Sequence, residues 1–477
     1  MTAKKNIRVR IAPSPTGNLH IGTARTALFN WLYAKHNGGV FVLRIEDTDL
    51  ERSDVAFEKD IMENLRWLGL IWEEGPGAEA GENIGDYGSY RQSERLASYE
   101  KYIRQLLDEN KAYYCFCTKE QLEDERQAML VQGLAPKYSG RCRSLPLEET
   151  KQRLLSGESH VIRFKMSEAK ISFKDLIRGS VSFDLGLMGD IAIAKDLKAP
   201  LYNLAVVIDD YEMKISHVIR GEDHLANTPK QIAIQNALGF PGPHYVHLPL
   251  ILDKDRSKMS KRHSATSIRE YRDQGYLPEA LINFMAFLGW HPQDDKEILS
   301  IDGLVEEFDI ARVQKAGAAF NIDKLDWLNA QYIKQSDDAE LLKSLISFEP
   351  RLNDVPEKTA LKMIASTKDR LKKLADFTDL TDFLFELGNY DGVLLNWKDT
   401  DSAKTINYLT IVDKLLPDVE EIKQFADKEG RGEVLWPLRV ALSGKSASPG
   451  PFEIMEVLEE AEVRRRIGLA IKKLENG

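Results

Sequence analysis

Two separated stretches of this sequence contain residues suited to holding phosphate groups. The first carries Thr16, Gly17, His20 and Gly22 between a strand-like segment and a helix-like segment. A helix amino terminus offers unpaired N–H groups and partial positive charge, and glycines let the backbone approach a ligand closely. His20 and Thr16 can donate hydrogen bonds to charge that develops in a transition state. The stretch predicts a phosphate site, although a proline-rich turn with a surface histidine remains the alternative.

The second stretch, residues 253–263, is rich in cations and follows an apolar, strand-like segment. Lys258, Lys261 and Arg262 lie close together in a short polar sequence. Cations on a mobile loop can close over a pyrophosphate leaving group. Taken alone, the stretch also fits a solvated run of charges.

The elements around these stretches alternate between strand and helix. A strand at 8–12, a helix at 21–36 and a strand at 40–45 form a βαβ unit. Such units favour a parallel sheet that binds its ligand where strands end and helices begin. Further strands are predicted at 161–166, 180–184, 203–208, 215–219 and 245–252, and a helix from Thr228-Pro229 to Gly239.

Helical spacing prevails beyond residue 276. Helices are predicted at 281–288, 339–347, 358–375, 405–416 and 451–474. We predict an α/β amino-terminal half, with a split Rossmann-type parallel sheet and an inserted α/β domain, followed by an all-α carboxy-terminal half. The predicted boundaries are 1–111 and 199–255 for the Rossmann domain, 112–198 for the insertion, 256–324 for the following segment, and 325–477 for the helical domain.

Each motif alone has a structural alternative, but the two motifs in this order and spacing indicate one enzyme family much more specifically. His20-Ile21-Gly22-Thr23 resembles the HIGH signature of class I aminoacyl-tRNA synthetases, and Lys258-Met259-Ser260-Lys261-Arg262 resembles their KMSKS loop. Residues 10–17 (RIAPSPTG) and 43–49 (LRIEDTD) are similar to bacterial glutamyl-tRNA synthetases. Thr23 replaces the last His of the HIGH consensus, as is usual in that subfamily. The likeness covers about residues 7–290.

The resemblance implies a glutamate–tRNA ligase that uses ATP with Mg²⁺. L-glutamate would become an adenylate and then be transferred to the 3′-terminal adenosine of tRNA-Glu, at the 2′-OH. It implies catalytic roles for His20, Lys258 and Lys261, and ATP binding by Thr16, Gly17, His20, Gly22 and Lys261. It also implies binding of the tRNA acceptor end by residues 112–198, stem contacts by 256–324 and anticodon binding by 325–477.

A site for glutamate needs arginines for two carboxylates and an acid for the ammonium group. By resemblance, glutamate binding falls on Arg10, Ala12, Ser14, Glu46, Tyr202 and Arg220. A guanidinium disfavours glutamine, because the amide NH₂ would face another donor. Which arginine meets the side-chain carboxylate remains open, as does a structural ion pair for Arg220 and Glu46.

The three cysteines of the chain, Cys115, Cys117 and Cys142, lie in the predicted insertion. Zinc prefers four ligands. Ser144 stands where some relatives have a histidine, but Tyr138 resembles the tyrosine ligand of a truncated relative. Either a structural Zn²⁺ site or three reduced structural cysteines fits the pattern.

The formal net charge of −10, taken over the whole chain, argues against a polyanionic partner. A tRNA, however, needs only a local basic face on the protein. Residues 258–273 and a cluster near the carboxy terminus offer basic side chains. Aromatic candidates for stacking on anticodon bases are more often core residues. The basic cluster is Arg464, Arg465, Arg466, Lys472 and Lys473, and the aromatic candidates are Phe377, Tyr390, Trp397 and Trp436.

Two rival functions belong to other classes. One is a glutamyl-queuosine-type enzyme that modifies a tRNA base, although such enzymes lack the helical domain; the other is an inactive tRNA-binding paralogue. We expect a cytoplasmic monomer without membrane contact. Whether tRNA-Gln is also charged stays open.

Overall fold

The computed structural model describes residues 7–49, 51–79, 81–167, 169–253, 255–257, 267–398 and 400–476. The chain divides into two compact units. The first comprises Met1–Tyr271 with Leu281–Asn321, and the second comprises Arg272–Ala280 with Ile322–Gly477. Within the described ranges, every helix is too short or too polar to cross a membrane.

The first unit opens with the predicted βαβ unit. Its strands β1 and β2 are parallel, with Arg10 opposite Val42, and helix α1 has the predicted bounds. Buried apolar residues on α1 pack towards the sheet, while its end at Asn37 precedes Gly38 in the left-handed region. The elements are β1 (Arg8–Ile11), α1 (Ile21–His36), β2 (Val40–Leu43), α2 (Val55–Trp67), β3 (Gly75–Pro76), β4 (Asn83–Ile84) and α3 (Leu96–Asp108).

The next segment contains two antiparallel structures. Strands β10, β9, β6 and β5 form one sheet in that order. The β7–β8 hairpin does not join that sheet but extends the parallel sheet of the next segment, where Asp175 pairs with Tyr245. The elements are β5 (Ala112–Cys115), α4 (Lys119–Val131), α5 (Leu147–Leu155), β6 (Val161–Phe164), β7 (Lys170–Asp175), β8 (Gly179–Asp184), β9 (Ile191–Asp196) and β10 (Ala199–Pro200).

The remaining elements of the first unit complete the parallel sheet. Strands β11 and β12 pair in parallel, and the Ser216 amide donates to the carbonyl of Arg8 at 2.9 Å, which brings β11 beside β1. The elements are α6 (Tyr202–Glu212), β11 (His217–Gly221), α7 (Thr228–Leu238), β12 (His244–Leu248), β13 (Ile251–Leu252), α8 (Ile268–Asp273), α9 (Pro278–Phe287), α10 (Ile301–Glu307) and β14 (Ala318–Ala319). Helices α8 and α9 each cross a boundary between the units.

The predicted strand at 203–208 is wrong, because these residues belong to helix α6. The run is apolar and contains β-branched residues, as a buried strand does, but it lies inside a longer buried helix. The spacing of apolar residues alone does not distinguish a short buried strand from a buried helix. The predicted strand at 245–252 is divided at Pro249 and Leu250 into β12 and β13.

The second unit is built from helices around one apolar core. Phe377, Phe383 and Leu409 are among its fully buried side chains. Two predicted helices are each interrupted, the first after Thr367 and the second after Val457. The helices are α11 (Ile322–Gln335), α12 (Asp338–Leu345), α13 (Glu357–Thr367), α14 (Asp376–Phe385), α15 (Ser402–Leu415), α16 (Val419–Glu429), α17 (Arg431–Ser443), α18 (Pro451–Val457) and α19 (Glu460–Asn476).

The side chains considered for tRNA binding have different environments in this unit. Phe377 is core, whereas the rings of Trp397 and Trp436 are half-buried with centroids 4.9 Å apart. Arg466 is buried and donates to the carbonyls of Phe383 and Leu442. Arg466 therefore contributes to the packing of α19 rather than to an exposed basic face.

Candidate active site

A cleft of about 1030 Å³ opens where β1, β2 and β11 end. It brings together eight of the predicted site residues: Arg10, Ala12, Ser14, His20, Gly22, Glu46, Tyr202 and Arg220. Thr16 and Gly17 lie outside the residues that line it, and Thr16 is exposed. Lys258 and Lys261 lie outside the described residues.

His20 is the amino-terminal cap of helix α1. Its Nδ1 accepts a hydrogen bond from the amide of Gly22 at 3.0 Å. In a neutral imidazole the proton must then reside on Nε2. The cap therefore fixes the ring and presents an N–H donor at a helix amino terminus, where developing negative charge is stabilised.

The cleft also receives both flanks of the second cationic stretch. On one side, Pro249, Leu250 and Ile251 line the cleft. On the other side, Ser267 forms a β-bridge with His20, and the amide of Ile268 donates to the carbonyl of Leu19 at 2.9 Å. The motif around His20 and the residues that flank the second cationic stretch therefore meet at this cleft, although they are far apart in the sequence.

One wall of the cleft holds a buried network of charges. Arg44 is fully buried, and its guanidinium donates to Asp210 at 2.7 Å and to Glu46 at 3.1 Å. Arg10 donates to the same Asp210 carboxylate at 3.2 and 3.4 Å. Burial raises the pKa of Glu46, although Arg44 and Arg10 oppose that shift. Glu46 is therefore a carboxyl group held at the cleft, suited to an ammonium ion.

Arg220 also lines the cleft but differs from Arg10 and Arg44 in its hydrogen-bond partners. Its Nε donates to Nε2 of His247 at 3.3 Å and its Nη2 donates to the hydroxyl of Thr228 at 2.9 Å. Its Nη1 is buried and has no hydrogen-bond partner among the residues that the structure describes. A buried guanidinium nitrogen without a partner is costly, and a ligand carboxylate would satisfy it.

Tyr202 and His224 complete this side of the cleft. The Tyr202 hydroxyl lies 2.9 Å from Nδ1 of His224, and both residues line the cleft. Burial, together with the nearby Arg220 guanidinium, lowers the pKa of His224 to about 4. At neutral pH the imidazole is uncharged and can accept a hydrogen bond from the Tyr202 hydroxyl, which orients the tyrosine ring.

Sequence reasoning missed several residues of the site. Asp210 lies two residues beyond the strand predicted at 203–208, and that prediction gives no direction for its side chain. Gln92, which lines the cleft, donates to Asp209 at 2.7 Å from a segment without a motif. His224 follows Arg220 by four residues, and that spacing next to a predicted strand end was a usable signal.

The cysteines form a compact cluster away from the cleft residues. The sulfurs of Cys115, Cys117 and Cys142 all lie within 4.8 Å of one another. The Tyr138 hydroxyl is 3.4 Å from Cys115 Sγ and 3.5 Å from Cys117 Sγ. The guanidinium of Arg163 lies 4.0 Å from the centroid of the Tyr138 ring. Three sulfurs and one oxygen thus converge on one point.

Comparisons with known proteins agree with this architecture. Residues 6–327 match the family described as tRNA synthetases class I (E and Q), catalytic domain, and residues 337–471 match an anticodon binding domain. The chain therefore belongs to the class I aminoacyl-tRNA synthetase family of the glutamyl and glutaminyl enzymes. This confirms the resemblance indicated by the two sequence motifs.

The relatives and solved structures point to the glutamyl branch. A glutamate–tRNA ligase from Carboxydothermus hydrogenoformans is 44% identical, covering 97% of this chain and 99% of the relative. Glutamate–tRNA ligase 1 from Caldicellulosiruptor saccharolyticus is also 44% identical, covering 97% and 98%. The crystal structure of a glutamate tRNA ligase from Elizabethkingia meningosepticum, in complex with its amino acid, is 36% identical with a TM-score of 0.88, covering 98% of this chain and all of that one.

Proposed function

We propose that this protein is a glutamate–tRNA ligase, which activates L-glutamate with ATP and transfers it to the 3′-terminal adenosine of tRNA-Glu. Family membership and the glutamate–tRNA ligase relatives support the reaction class. The matched anticodon domain supports a tRNA substrate. From the resemblance we also propose that the enzyme acts as a monomer.

The observation that carries the choice of amino acid is the distribution of charge across the cleft. In the cleft, Arg220 offers a buried nitrogen that has no hydrogen-bond partner among the described residues, and Glu46 offers a buried carboxyl group. Glutamate carries two carboxylates and one ammonium group, so it matches both a guanidinium and a carboxyl group. Arg10, already paired with Asp210, supplies further positive potential nearby.

The chemistry asks mainly for positioning and charge stabilisation. The α-carboxylate of glutamate attacks the α-phosphate of ATP, and pyrophosphate leaves. The Nε2–H of His20 is suited to stabilise phosphate charge in the transition state. Mg²⁺ would accompany the ATP, bound largely through the phosphates. We assign Lys258 and Lys261 to stabilising the pyrophosphate leaving group, and this assignment rests only on their resemblance to the KMSKS motif.

Replacing Arg220 with alanine tests the glutamate site. Because a charge-assisted, buried hydrogen bond is lost, we expect KM for glutamate to rise about 100-fold or more, with KM for ATP little changed. ATP–pyrophosphate exchange with tRNA-Glu present measures both constants. Arg104→Ala, in an exposed pair with Glu100, is the matched control. An unchanged KM for glutamate in Arg220→Ala would overturn the assignment.

Charging of purified tRNAs in separate reactions tests the tRNA assignment. Transfer of glutamate to the 3′ end of tRNA-Glu is the expected result, and parallel reactions with tRNA-Gln decide whether that tRNA is accepted too. Attachment to an internal base, or no attachment at all, would contradict the proposed ligase and favour one of the two rival functions.

We also propose that Cys115, Cys117, Cys142 and Tyr138 hold a structural Zn²⁺. Tetrahedral zinc with Zn–S near 2.3 Å places sulfurs about 3.8 Å apart, and an oxygen ligand at about 2.0 Å would lie about 3.5 Å from each sulfur. Sγ of Cys117 and Sγ of Cys142 are 3.6 Å apart, and the Tyr138 oxygen lies close to the second value from two sulfurs. The donor set therefore fits the ion.

A further inference from the structure

Arg220 is supported from behind by side chains that have no assigned role. Strands β11 and β12 are parallel, and their register places Arg220 directly beside His247. The hairpin strand β7 ends at Asp175, which lies behind His247. Thr228, the first residue of α7, lies between Arg220 and His247. Asp175, His247 and Thr228 are all fully or almost fully buried.

The hydrogen bonds in this group define the state of the imidazole. Oδ2 of Asp175 lies 2.7 Å from Nδ1 of His247 and accepts from the His247 amide at 3.0 Å. A carboxylate only accepts, so the proton of the neutral ring must be on Nδ1. Nε2 is therefore the acceptor of the ring, and it lies 3.3 Å from Nε of Arg220 and 3.0 Å from the Thr228 hydroxyl. A proton on Nε2 would instead oppose the guanidinium donor.

The opposite edge of the Asp175 carboxylate is fixed as well. Oδ1 accepts from the amides of Ile177 at 2.9 Å and Arg178 at 2.7 Å. The carboxylate therefore cannot rotate without losing hydrogen bonds on both edges. Burial lowers the pKa of His247, and the Arg220 guanidinium lowers it further, although the bond to Asp175 opposes both. The ring is therefore uncharged at neutral pH.

The consequence is a difference in charge among the arginines of the cleft. Arg10 and Arg44 donate to protein carboxylates, so much of their charge is compensated. The hydrogen bonds of Arg220 to His247 and Thr228 go to uncharged groups. A carboxylate in the place of His247 would orient the guanidinium equally well but would compete with a substrate carboxylate.

We propose that Asp175, His247 and Thr228 position Arg220, with His247 serving as a neutral spacer that keeps the guanidinium oriented and its charge available to the substrate. Asp175 selects the tautomer, and Thr228 holds Nη2. The end of the guanidinium that carries Nη1 is left facing the ligand. This inference rests on the proposed function, because it assigns a substrate carboxylate to Arg220.

Substitution of Asp175 by asparagine changes the tautomer selection, and it also removes the carboxylate oxygen that accepts from the His247 amide. The amide oxygen must still accept from Ile177 and Arg178, so the NH₂ group faces His247 and moves the ring proton to Nε2. That proton then opposes Arg220. We expect KM for glutamate to rise at least tenfold, kcat to change less than threefold, and KM for ATP to stay constant.

A pair of His247 variants keeps the test valid if Asp175→Asn folds poorly. His247→Gln retains an acceptor that can face Arg220, whereas His247→Leu does not. We expect the leucine variant to raise KM for glutamate at least tenfold and the glutamine variant to recover most of the loss. His244→Leu, at an exposed position on the same strand, is the matched control for β12. Thermal unfolding of each variant reports the effect on stability separately.

A double-mutant cycle with Arg220→Lys shows whether the effect passes through Arg220. The His247→Leu change should raise KM far less in the lysine background than in the parent enzyme. Equal effects in both backgrounds, or equal KM values for the leucine and glutamine variants, would overturn the positioning role. If the His247 variants have the same KM for glutamate as the His244→Leu control, while Arg220→Ala still raises that KM, this inference fails and the proposed function stands. If Arg220→Ala has no effect, both this inference and the assignment of glutamate to Arg220 fail.

Discussion

At the scale of single residues, His20 combines two roles that one substitution can separate. Its Nδ1 caps helix α1, and the opposite nitrogen carries the ring proton. His20→Asn keeps a capping side chain but removes the imidazole N–H. We expect kcat for adenylate formation to fall about 100- to 1000-fold while thermal stability stays near that of the parent.

His20→Ala is the companion to that variant. It should lose activity to a similar degree and lose a further ~1 kcal/mol of unfolding free energy, because the cap disappears as well. Steady-state ATP–pyrophosphate exchange and urea unfolding measure the two quantities. An asparagine variant with nearly full activity would exclude the proposed role of the imidazole in phosphate stabilisation.

At the scale of elements, the cysteine cluster joins β5 to the loop that follows α4. Cys115 ends β5, and Tyr138 and Cys142 lie in the connection between α4 and α5. Because helices α4 and α5 have no fully buried residue of their own, a metal clip would contribute much of the order there. We expect Cys142→Ser to reduce bound zinc from about one ion per chain to a small fraction.

Elemental analysis and protease susceptibility of the purified full chain measure this effect. Cleavage between residues 116 and 160 should accelerate in Cys142→Ser and after chelation, and Tyr138→Phe should weaken zinc binding with three thiolates retained. Ser144→Ala, at an exposed neighbouring position, is the control. Purified parent protein free of zinc and equally resistant to protease would favour three reduced structural cysteines.

Elements with strong local signals were predictable from the sequence. Helix α1 has apolar residues at helical spacing, an amino-terminal cap and a glycine after its end, and its predicted bounds are confirmed. Helix α6 was missed because a six-residue apolar run has no decisive period. That error also concealed the directions of Asp209 and Asp210, two buried residues of α6 that pair with Arg95 and Arg44 respectively. The support of Arg220 by Asp175 depends on long-range strand pairing, which local patterns do not contain.

At the scale of the whole molecule, an acidic chain must bind an acidic partner. The formal net charge is −10, so attraction to tRNA has to come from local groups such as the exposed Arg269 and Arg272. Near the carboxy terminus, Arg464 and Arg465 are paired with acids. The local distribution of charge, rather than the total, therefore decides where a polyanion binds.

Salt dependence tests this distribution of charge. If about three phosphates are neutralised, affinity for tRNA should fall about 30-fold between roughly 50 and 200 mM salt, because bound counterions are released. KM for glutamate should change little, since its buried charges are screened much less. Arg269→Ala should reduce the slope of log KM against log salt by about 0.8, the value of one phosphate contact, whereas Arg465→Ala should leave it unchanged. Equal slopes in all three proteins would mean that residues 258–273 do not contact tRNA phosphates through Arg269, and the polyanion must then be held by a different face.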